Sequence, residues 1–160
     1  SESLQPLSVA RAFLEIARRE EAGLVILGKQ AIDDDNSQTA QMLAALWDRP
    51  QATFASKVVL NGETAAVTRE VDAGLETIAV DLPAVISVDL RLTEPRFVKL
   101  PDIMKAKRKP LDVVPLDDLG IIVDGNLAVS HYAPPAQREK GIMVEDTAQL
   151  VQELKNRGLI

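Results

Sequence analysis

The sequence predicts an α/β fold with a mostly parallel sheet flanked by helices, and two observations support this. Residues 24–27 form a short apolar run, which is typical of a parallel strand buried on both faces. A helical pattern precedes this run, and Gly28, a polar loop and a second helix over about 38–47 follow it. Helix, strand and helix therefore alternate as they do in α/β proteins. We expect a Rossmann-like, adenine-nucleotide-binding arrangement.

The first helix is indicated by Pro6, a residue favoured in a first turn, and by Val9, Phe13 and Ile16 at helical spacing. Gly23 follows as a stop signal. An α/β domain normally begins with a strand, whereas this chain begins with a helix and has no initiator methionine. We therefore expect a fragment of a longer domain from which the N-terminal strands are missing.

The middle of the chain predicts an antiparallel excursion that returns to the sheet. Four strand-like runs cover residues 52–60, 63–71, 75–82 and 84–90. The first two flank Asn61-Gly62, a strong signal for a two-residue hairpin turn. The last run follows Pro83 and is apolar enough for a buried strand.

The final third predicts a short helix over 101–108, ended by Pro110, two strands over 111–114 and 126–132, and a last helix over 146–157. We expect a single α/β domain over 1–160, truncated at its N-terminus. Its expected parts are a nucleotide-loop half (1–50), the strand excursion (51–90), a partner-recognition loop (91–110), and C-terminal strands and helix (111–160).

Composition excludes several classes of protein. The 160 residues include no cysteine and one histidine, which excludes disulfide scaffolds, thiolate metal sites and cysteine nucleophiles. No apolar run approaches the ~20 residues of a membrane span, so direct membrane insertion is not expected. The net charge of −6 argues against nucleic-acid binding. We expect a soluble, intracellular protein, and no catalytic triad, carboxylate pair or metal-ligand spacing is found.

The strongest candidate for chemistry is the loop between the first strand and the second helix. Its residues are Gly28, Lys29, Gln30, Ala31, Ile32, Asp33, Asp34, Asp35, Asn36, Ser37, Gln38 and Thr39. Ligands of α/β sheets bind at this position, and backbone N–H groups at a helix start favour a phosphate. Neither phosphate-loop nor dinucleotide motifs are present, and three aspartates disfavour a triphosphate. A single phosphate and a simple capped loop remain equal alternatives on spacing alone.

The segment 91–109 is basic, with seven Lys and Arg residues against two acids. Basic residues interspersed with apolar ones suit docking onto an acidic protein, with Leu100 as an anchor; the alternative is a solvated helix face. The candidate contacts are Leu100, Pro101, Ile103, Met104, Lys105, Lys107, Arg108 and Lys109. A further charged stretch, 69–76, indicates either an ion-pair cluster at an interface or a structural corner, and its spacing favours the corner.

Three stretches together resemble the electron transfer flavoprotein beta subunit family. They are LVILGKQAIDDD at 24–35, followed by Gln38-Thr39; VTREVDAGLET at 67–77, running on to LPAVIS at 82–87; and DLRLTEPR at 89–96, followed by LPDIMKAK at 100–107. They occur in family order, and the resemblance covers nearly the whole chain. Relative to a complete subunit of the family, the chain lacks the N-terminal third. Ala73 departs from the family's usual glycine pair.

The resemblance implies an electron carrier rather than an enzyme. Such a subunit pairs with an alpha subunit around one FAD, held mostly by the alpha subunit. It carries electrons from acyl-CoA dehydrogenases of fatty acid oxidation, and from other flavin dehydrogenases, to a membrane quinone oxidoreductase. The implied location is the cytoplasm of a bacterium or the mitochondrial matrix of a eukaryote.

The resemblance also assigns residues. The loop 28–39 would hold AMP, with the phosphate at its helix-start end; Leu100 would anchor a partner dehydrogenase; and Glu70 would lie toward the flavin. Two alternatives stay open. An electron-bifurcating subunit would hold FAD in place of AMP, and Asp34 favours AMP. The other alternative is a nucleotide-binding module without a redox role.

Overall fold

The computed structural model describes residues 4–32, 35–123, 125, 127–128, 130–138 and 140–160. The helices are α1 (Pro6–Arg19), α2 (Thr39–Trp47), α3 (Leu100–Ala106) and α4 (Thr147–Asn156). The strands are β1 (Leu24–Gly28), β2 (Gln51–Asn61), β3 (Thr64–Val71), β4 (Gly74–Asp81) and β5 (Ala84–Val88). A 3-10 turn covers Leu116–Leu119.

Five strands form one mixed sheet in the order β1-β5-β2-β3-β4. β5 is parallel to both of its neighbours, β1 and β2, whereas β2–β3 and β3–β4 are antiparallel. The predicted mostly parallel sheet is therefore wrong, and a Rossmann-like arrangement is not confirmed. The reason is local, because strands joined by two-residue turns can pair only in the antiparallel direction.

The first of these turns is the predicted hairpin, displaced by one residue. Asn61 pairs with Thr64 across the turn, so its central residues are Gly62 and Glu63. Gly62 has a φ of 61°, and a glycine at the first central position suits a hairpin turn with positive φ there. The antiparallel excursion expected from the sequence is confirmed.

The core consists of two clusters on opposite faces of β5, because successive side chains of a strand alternate in direction. Val85 packs with α1 and α2 through Ala10, Leu43 and Ala44. Its neighbours Ala84 and Ile86 join the other cluster, which contains buried residues of β2, β3 and β4. The small residues Ala10, Ala40 and Ala44 let α1 pack closely on α2, and α2 in turn packs on β5.

β1 is an edge strand of the described sheet, which corrects the expectation that residues 24–27 are buried on both faces. Ile26 is 51% exposed, while Leu24, Val25 and Leu27 are half-buried. β5 shields one edge of β1, and no described strand pairs with the other. The carboxyl end of β1 is consequently accessible at the position where the sequence predicts a ligand.

The two strands expected in the final third are not formed by the residues described there. Leu111 and Val113 are exposed between Pro110 and Pro115, and the described residues of 126–132 are irregular, with Leu127 and Tyr132 exposed. A strand needs a hydrogen-bonding neighbour, and the sheet has no pairing to either segment. The two strand predictions are wrong because they rested on the local apolar pattern alone.

Contacts within the chain group it into two compact units, one up to residue 126 and one over Leu127–Ile160. The first contains the sheet and the helices α1 to α3. The second contains α4, whose N-terminus is capped by Asp146, since its carboxylate accepts a 2.7 Å hydrogen bond from the Gln149 amide. The expected organisation as a single domain over 1–160, with its functional segments, stays a prediction.

Candidate functional site

A cleft of about 370 Å³ opens where β1 ends and α2 begins. Its volume falls within the ~300–1,000 Å³ that is usual for small-molecule sites. Eight of the twelve residues that the sequence assigns to a nucleotide line this cleft: Gly28, Lys29, Gln30, Ala31, Asn36, Ser37, Gln38 and Thr39. The fold thus brings together both ends of the predicted loop.

Of the other four predicted loop residues, the two that the structure describes are not among the residues that line this cleft. Ile32 and Asp35 are exposed. Asp33 and Asp34 lie outside the described residues, so the preference for AMP that Asp34 indicates stays a prediction. A second cleft, of about 510 Å³, shares Gly28, Lys29 and Gln30 with the first and is completed by Ile32, Val88, Asp89 and Leu90.

The beginning of α1 forms a wall of the first cleft that sequence reasoning missed. Leu4, Pro6, Val9 and Phe13 line it. The signal was present, because Val9 and Phe13 lie one turn apart on the apolar stripe of α1. The sequence analysis used that stripe only to locate the helix. The structure shows Phe13 to be partly exposed, so the stripe extends beyond the core and into the cleft.

The N-terminus of α2 has chemistry suited to an anion. Its N-cap residue, Gln38, makes no side-chain capping hydrogen bond, and its first turn has no acidic residue. The first amides of a helix have no partner within the helix and carry partial positive charge. Ser37 precedes them with a φ of 51°, and its hydroxyl contacts Gln30 Oε1 at 3.4 Å, which connects the two ends of the loop.

A chain of ion pairs crosses the carboxyl ends of the strands. Lys29 Nζ lies 2.5 Å from Asp89 Oδ2. Asp89 Oδ1 accepts hydrogen bonds from the Arg91 Nε at 3.0 Å and from the Arg91 amide at 3.1 Å. Arg91 also pairs with Glu70. The order Lys29–Asp89–Arg91–Glu70 thereby connects the loop after β1 with the end of β3.

Asp89 is the centre of this network and the group that sequence reasoning missed. Its side chain is 5% exposed. The hydrogen bond from Arg91, and then that from Lys29, hold the pKa of the carboxyl far below its ordinary value. In return, the Asp89 carboxylate raises the pKa of Arg91. Asp89 is therefore an ionised, nearly buried carboxylate directly beside the predicted nucleotide loop.

The charged corner at 69–76 is occupied by contacts within the chain. Arg69 donates to Thr53 Oγ1 at 3.2 Å and lies 3.6 Å from Glu76 Oε2. Glu70, expected on the flavin side, is half-buried and pairs with Arg91, and it is not among the residues lining the first cleft. These contacts favour the structural-corner interpretation of this stretch.

The predicted partner-binding residues lie on and just after α3, and all are exposed. Leu100 is 70% exposed although it is apolar. Leu100, Ile103 and Met104 have the i, i+3, i+4 spacing that places side chains on one face of a helix. Lys105 lies in the last turn of α3, and Lys107, Arg108 and Lys109 follow the helix, so positive charge adjoins this face; Pro101 is the second residue of the helix.

Two further observations concern the described part of the chain. None of its helices is long and apolar enough to span a bilayer. Within the same residues, no three His, Asp or Glu side chains are grouped as a metal site requires.

The fold and the cleft define a class: an α/β protein with a ligand-sized cleft at the carboxyl end of a strand, beside an uncapped helix N-terminus. A family model described as the electron transfer flavoprotein domain matches residues 1–119. The whole chain is 51% identical over 160 residues to the electron transfer flavoprotein subunit beta of Mus musculus, and covers 63% of that relative. The chain belongs to the electron transfer flavoprotein family, and the resemblance noted in its sequence is confirmed.

Relatives from distant organisms are equally similar. The mitochondrial electron transfer flavoprotein subunit beta of Oryza sativa subsp. japonica is 51% identical over 160 residues, the full chain and 63% of the relative. The subunit beta of the bacterium Bradyrhizobium diazoefficiens is 51% identical over 154 residues, or 96% of this chain and 62% of the relative. The chain thus spans less than two thirds of the length of these relatives.

Proposed function

We propose that this chain forms part of an electron transfer flavoprotein beta subunit, an electron carrier that catalyses no bond chemistry itself. The observation that carries the proposal is the 51% identity over all 160 residues to subunits of that name. Within a heterodimer with an alpha subunit, this chain binds a nucleotide and contacts redox partners. The remaining length of the relatives contributes residues that this chain does not contain.

The cleft beside β1 is the site of AMP. Its uncapped α2 amides are suited to one phosphate group, and Asn36, Ser37 and Thr39 add polar side chains beside them. Val9 and Phe13 offer an apolar wall to a base. Because the residues present fit a mononucleotide, AMP acts here as a structural ligand that connects α1, β1 and α2.

FAD is shared with the alpha subunit and held mostly by it. When bound, FAD supplies the redox centre that accepts and donates electrons. The contribution of this chain is Glu70, whose carboxylate is fixed in direction by Arg91 and lies toward the flavin.

The exposed apolar face of α3 docks dehydrogenases. Leu100 is the anchor that enters a partner pocket, and the surrounding Lys and Arg residues attract an acidic rim. Electrons then pass from acyl-CoA and other flavin dehydrogenases of fatty acid oxidation to a membrane quinone oxidoreductase. The carrier acts in the bacterial cytoplasm or the mitochondrial matrix.

The nucleotide released from the purified full-length protein tests the assignment of the cleft. Acid precipitation followed by chromatography is expected to release one AMP for each heterodimer. Release of a second FAD in its place would indicate the electron-bifurcating branch. Release of no adenine nucleotide would overturn the assignment of the cleft.

Mixing the full-length subunit with its alpha subunit and FAD tests the redox role. A flavin absorption spectrum that appears only with both subunits present supports a shared site. A subunit that binds AMP but never changes the flavin spectrum would instead be a nucleotide-binding module without a redox role.

A further inference from the structure

Lys29 is the only formally charged residue among the described side chains that line the first cleft. Every other lining residue is apolar, glycine or a neutral polar group. The charge that a bound phosphate experiences from these side chains therefore depends on what Lys29 is paired with.

Asp89 pairs with that lysine. The 2.5 Å contact joins the ammonium to a carboxylate that is nearly buried, while the Lys29 side chain is 27% exposed. Among the described residues, Asp89 is the one acid within ion-pair distance of Lys29. A charge pair formed at such short range with limited solvent leaves little net field toward a third group.

We propose that Asp89 determines the phosphate specificity of the cleft by compensating the charge of Lys29, so that a nucleoside monophosphate binds in preference to a diphosphate or triphosphate. The inference rests on the proposed function, because it assumes an adenine nucleotide in this cleft. One phosphate is satisfied by the amides of α2, whereas each further phosphate brings a negative charge that needs a free cation.

The arrangement of the network allows this role to be separated from folding. Replacing Asp89 by Asn removes the compensating charge but keeps a side chain of the same shape. Arg91 then retains Glu70 as its partner, so it is not left as an isolated charge. Lys29 has no second acid among the described residues and becomes available to a ligand.

The experiment measures which nucleotide the full-length protein retains. The protein is unfolded, refolded in an equimolar mixture of AMP and ADP, separated from free nucleotide and analysed by chromatography. The wild type is expected to retain mainly AMP. Asp89→Asn is expected to raise the ratio of bound ADP to bound AMP about tenfold, the effect of one charge-assisted hydrogen bond.

Two matched variants control for net charge and for Lys29 itself. Glu76→Gln makes the same change of charge at an ion pair away from the cleft, and its ratio should equal that of the wild type. Lys29→Met removes the cation that Asp89→Asn would free, while Asp89 keeps Arg91 as its partner, so its ADP-to-AMP ratio should not rise above that of the wild type. The double variant Lys29→Met/Asp89→Asn should show no tenfold shift.

The outcomes distinguish this inference from the proposed function. A wild type that retains no adenine nucleotide overturns both. A wild type that retains AMP, with an unchanged ratio in Asp89→Asn, overturns the inference alone. So does a shift that persists in the double variant. If Asp89→Asn does not refold, Lys29→Met decides: a rise in its ADP-to-AMP ratio above that of the wild type overturns the inference, and a ratio at or below the wild-type value supports it.

Discussion

Asp89 shows how a single residue can organise a site without belonging to a recognisable motif. It follows β5 immediately, and its amide donates to the Ala55 carbonyl at 2.9 Å, which fixes the backbone at this position. Its carboxylate forms ion pairs with Lys29, which lies in the loop after β1, and with Arg91, which follows two residues later. A nearly buried carboxylate is tolerated here because both of its oxygens are paired with cations.

The depressed pKa of Asp89 predicts an acid-dependent contribution to stability. A carboxyl whose folded-state pKa is lowered stabilises the fold above its unfolded-state pKa of about 3.9, and this contribution is lost as the pH falls toward the folded-state pKa. Urea unfolding of the wild type and Asp89→Asn should therefore give a difference in free energy of unfolding that is constant near neutral pH and shrinks below about pH 4.

The matched comparison for this prediction is Glu76→Gln. Its ion pair with Arg69 is longer and partly exposed, so it should contribute little at any pH. A difference between the wild type and Asp89→Asn that stays constant down to pH 3 would show that the Asp89 carboxyl is not selectively stabilised in the folded state.

Sequence could locate the loop of the site but not its charge network. The loop 28–39 was recognisable because a strand end, a glycine and a helix start are all local in sequence. The pairing of Lys29 with Asp89 depends on β1 lying beside β5, a contact between distant segments. The α1 wall was missed for a related reason, because a helical apolar stripe does not reveal which of its residues meet the core and which meet a cleft.

At the scale of elements, the turn between β2 and β3 gives the sharpest prediction. Gly62 has a φ of 61°, and a Cβ placed there would meet no atom within 4 Å. Gly62→Ala should therefore destabilise the protein by about 1 kcal/mol through backbone strain alone, without any steric clash. Urea denaturation at neutral pH measures this.

The adjacent Glu63 supplies the control, since it occupies the second central position of the same turn and is exposed. Glu63→Ala should change the free energy of unfolding by less than about 0.5 kcal/mol. Equal losses in the two variants would mean that the turn tolerates a side chain at Gly62 and that its φ is not the controlling feature.

The elements themselves were predictable to different degrees. The helices and the five strands carry strong periodic or apolar patterns, and Gly62 marks a hairpin. Strand direction and strand partners were less accessible. Leu111–Val114 looked like a strand, yet Pro110 and Pro115 border it and none of the strands that the structure describes lies alongside. An apolar pattern specifies a preference, whereas a sheet also requires a neighbour.

The face of α3 carries a prediction about partner binding. Leu100→Ala should lower electron transfer from a dehydrogenase about tenfold at limiting carrier, because truncating an interface anchor typically costs more than 1 kcal/mol. Assembly with the alpha subunit and flavin content should be unchanged. Leu75 on β4 is the matched control, since it is a leucine of similar exposure, 72% against 70%.

For Leu75→Ala, turnover with the dehydrogenase should equal that of the wild type. If both leucine variants lose activity equally, the effect would reflect general destabilisation rather than loss of an anchor. If neither loses activity, Leu100 does not serve as the anchor.

For the whole molecule, the distribution of charge matters more than its total. The chain carries −6 overall, while the segment 91–109 has seven basic and two acidic residues, a net +5 that leaves −11 elsewhere. Such a division orients the molecule as it approaches a partner, because an acidic surface attracts the segment and repels the remainder. We therefore expect α3 and the residues around it to make the first contact with an acidic partner.

This orientation predicts that salt acts on the rate of association. Raising ionic strength from about 0.05 to about 0.5 M shortens the screening length from roughly 14 to roughly 4 Å, so the association rate constant of the full heterodimer with a dehydrogenase should fall about tenfold. The dissociation rate constant should change less, because the anchor contact is apolar. Stopped-flow mixing measures both.

Lys105→Gln/Lys107→Gln should flatten the salt dependence, whereas Arg18→Gln, a change to an exposed cation on α1, should leave its slope nearly intact. A rate independent of salt would remove the steering role of the basic segment, although Leu100 could still be the anchor.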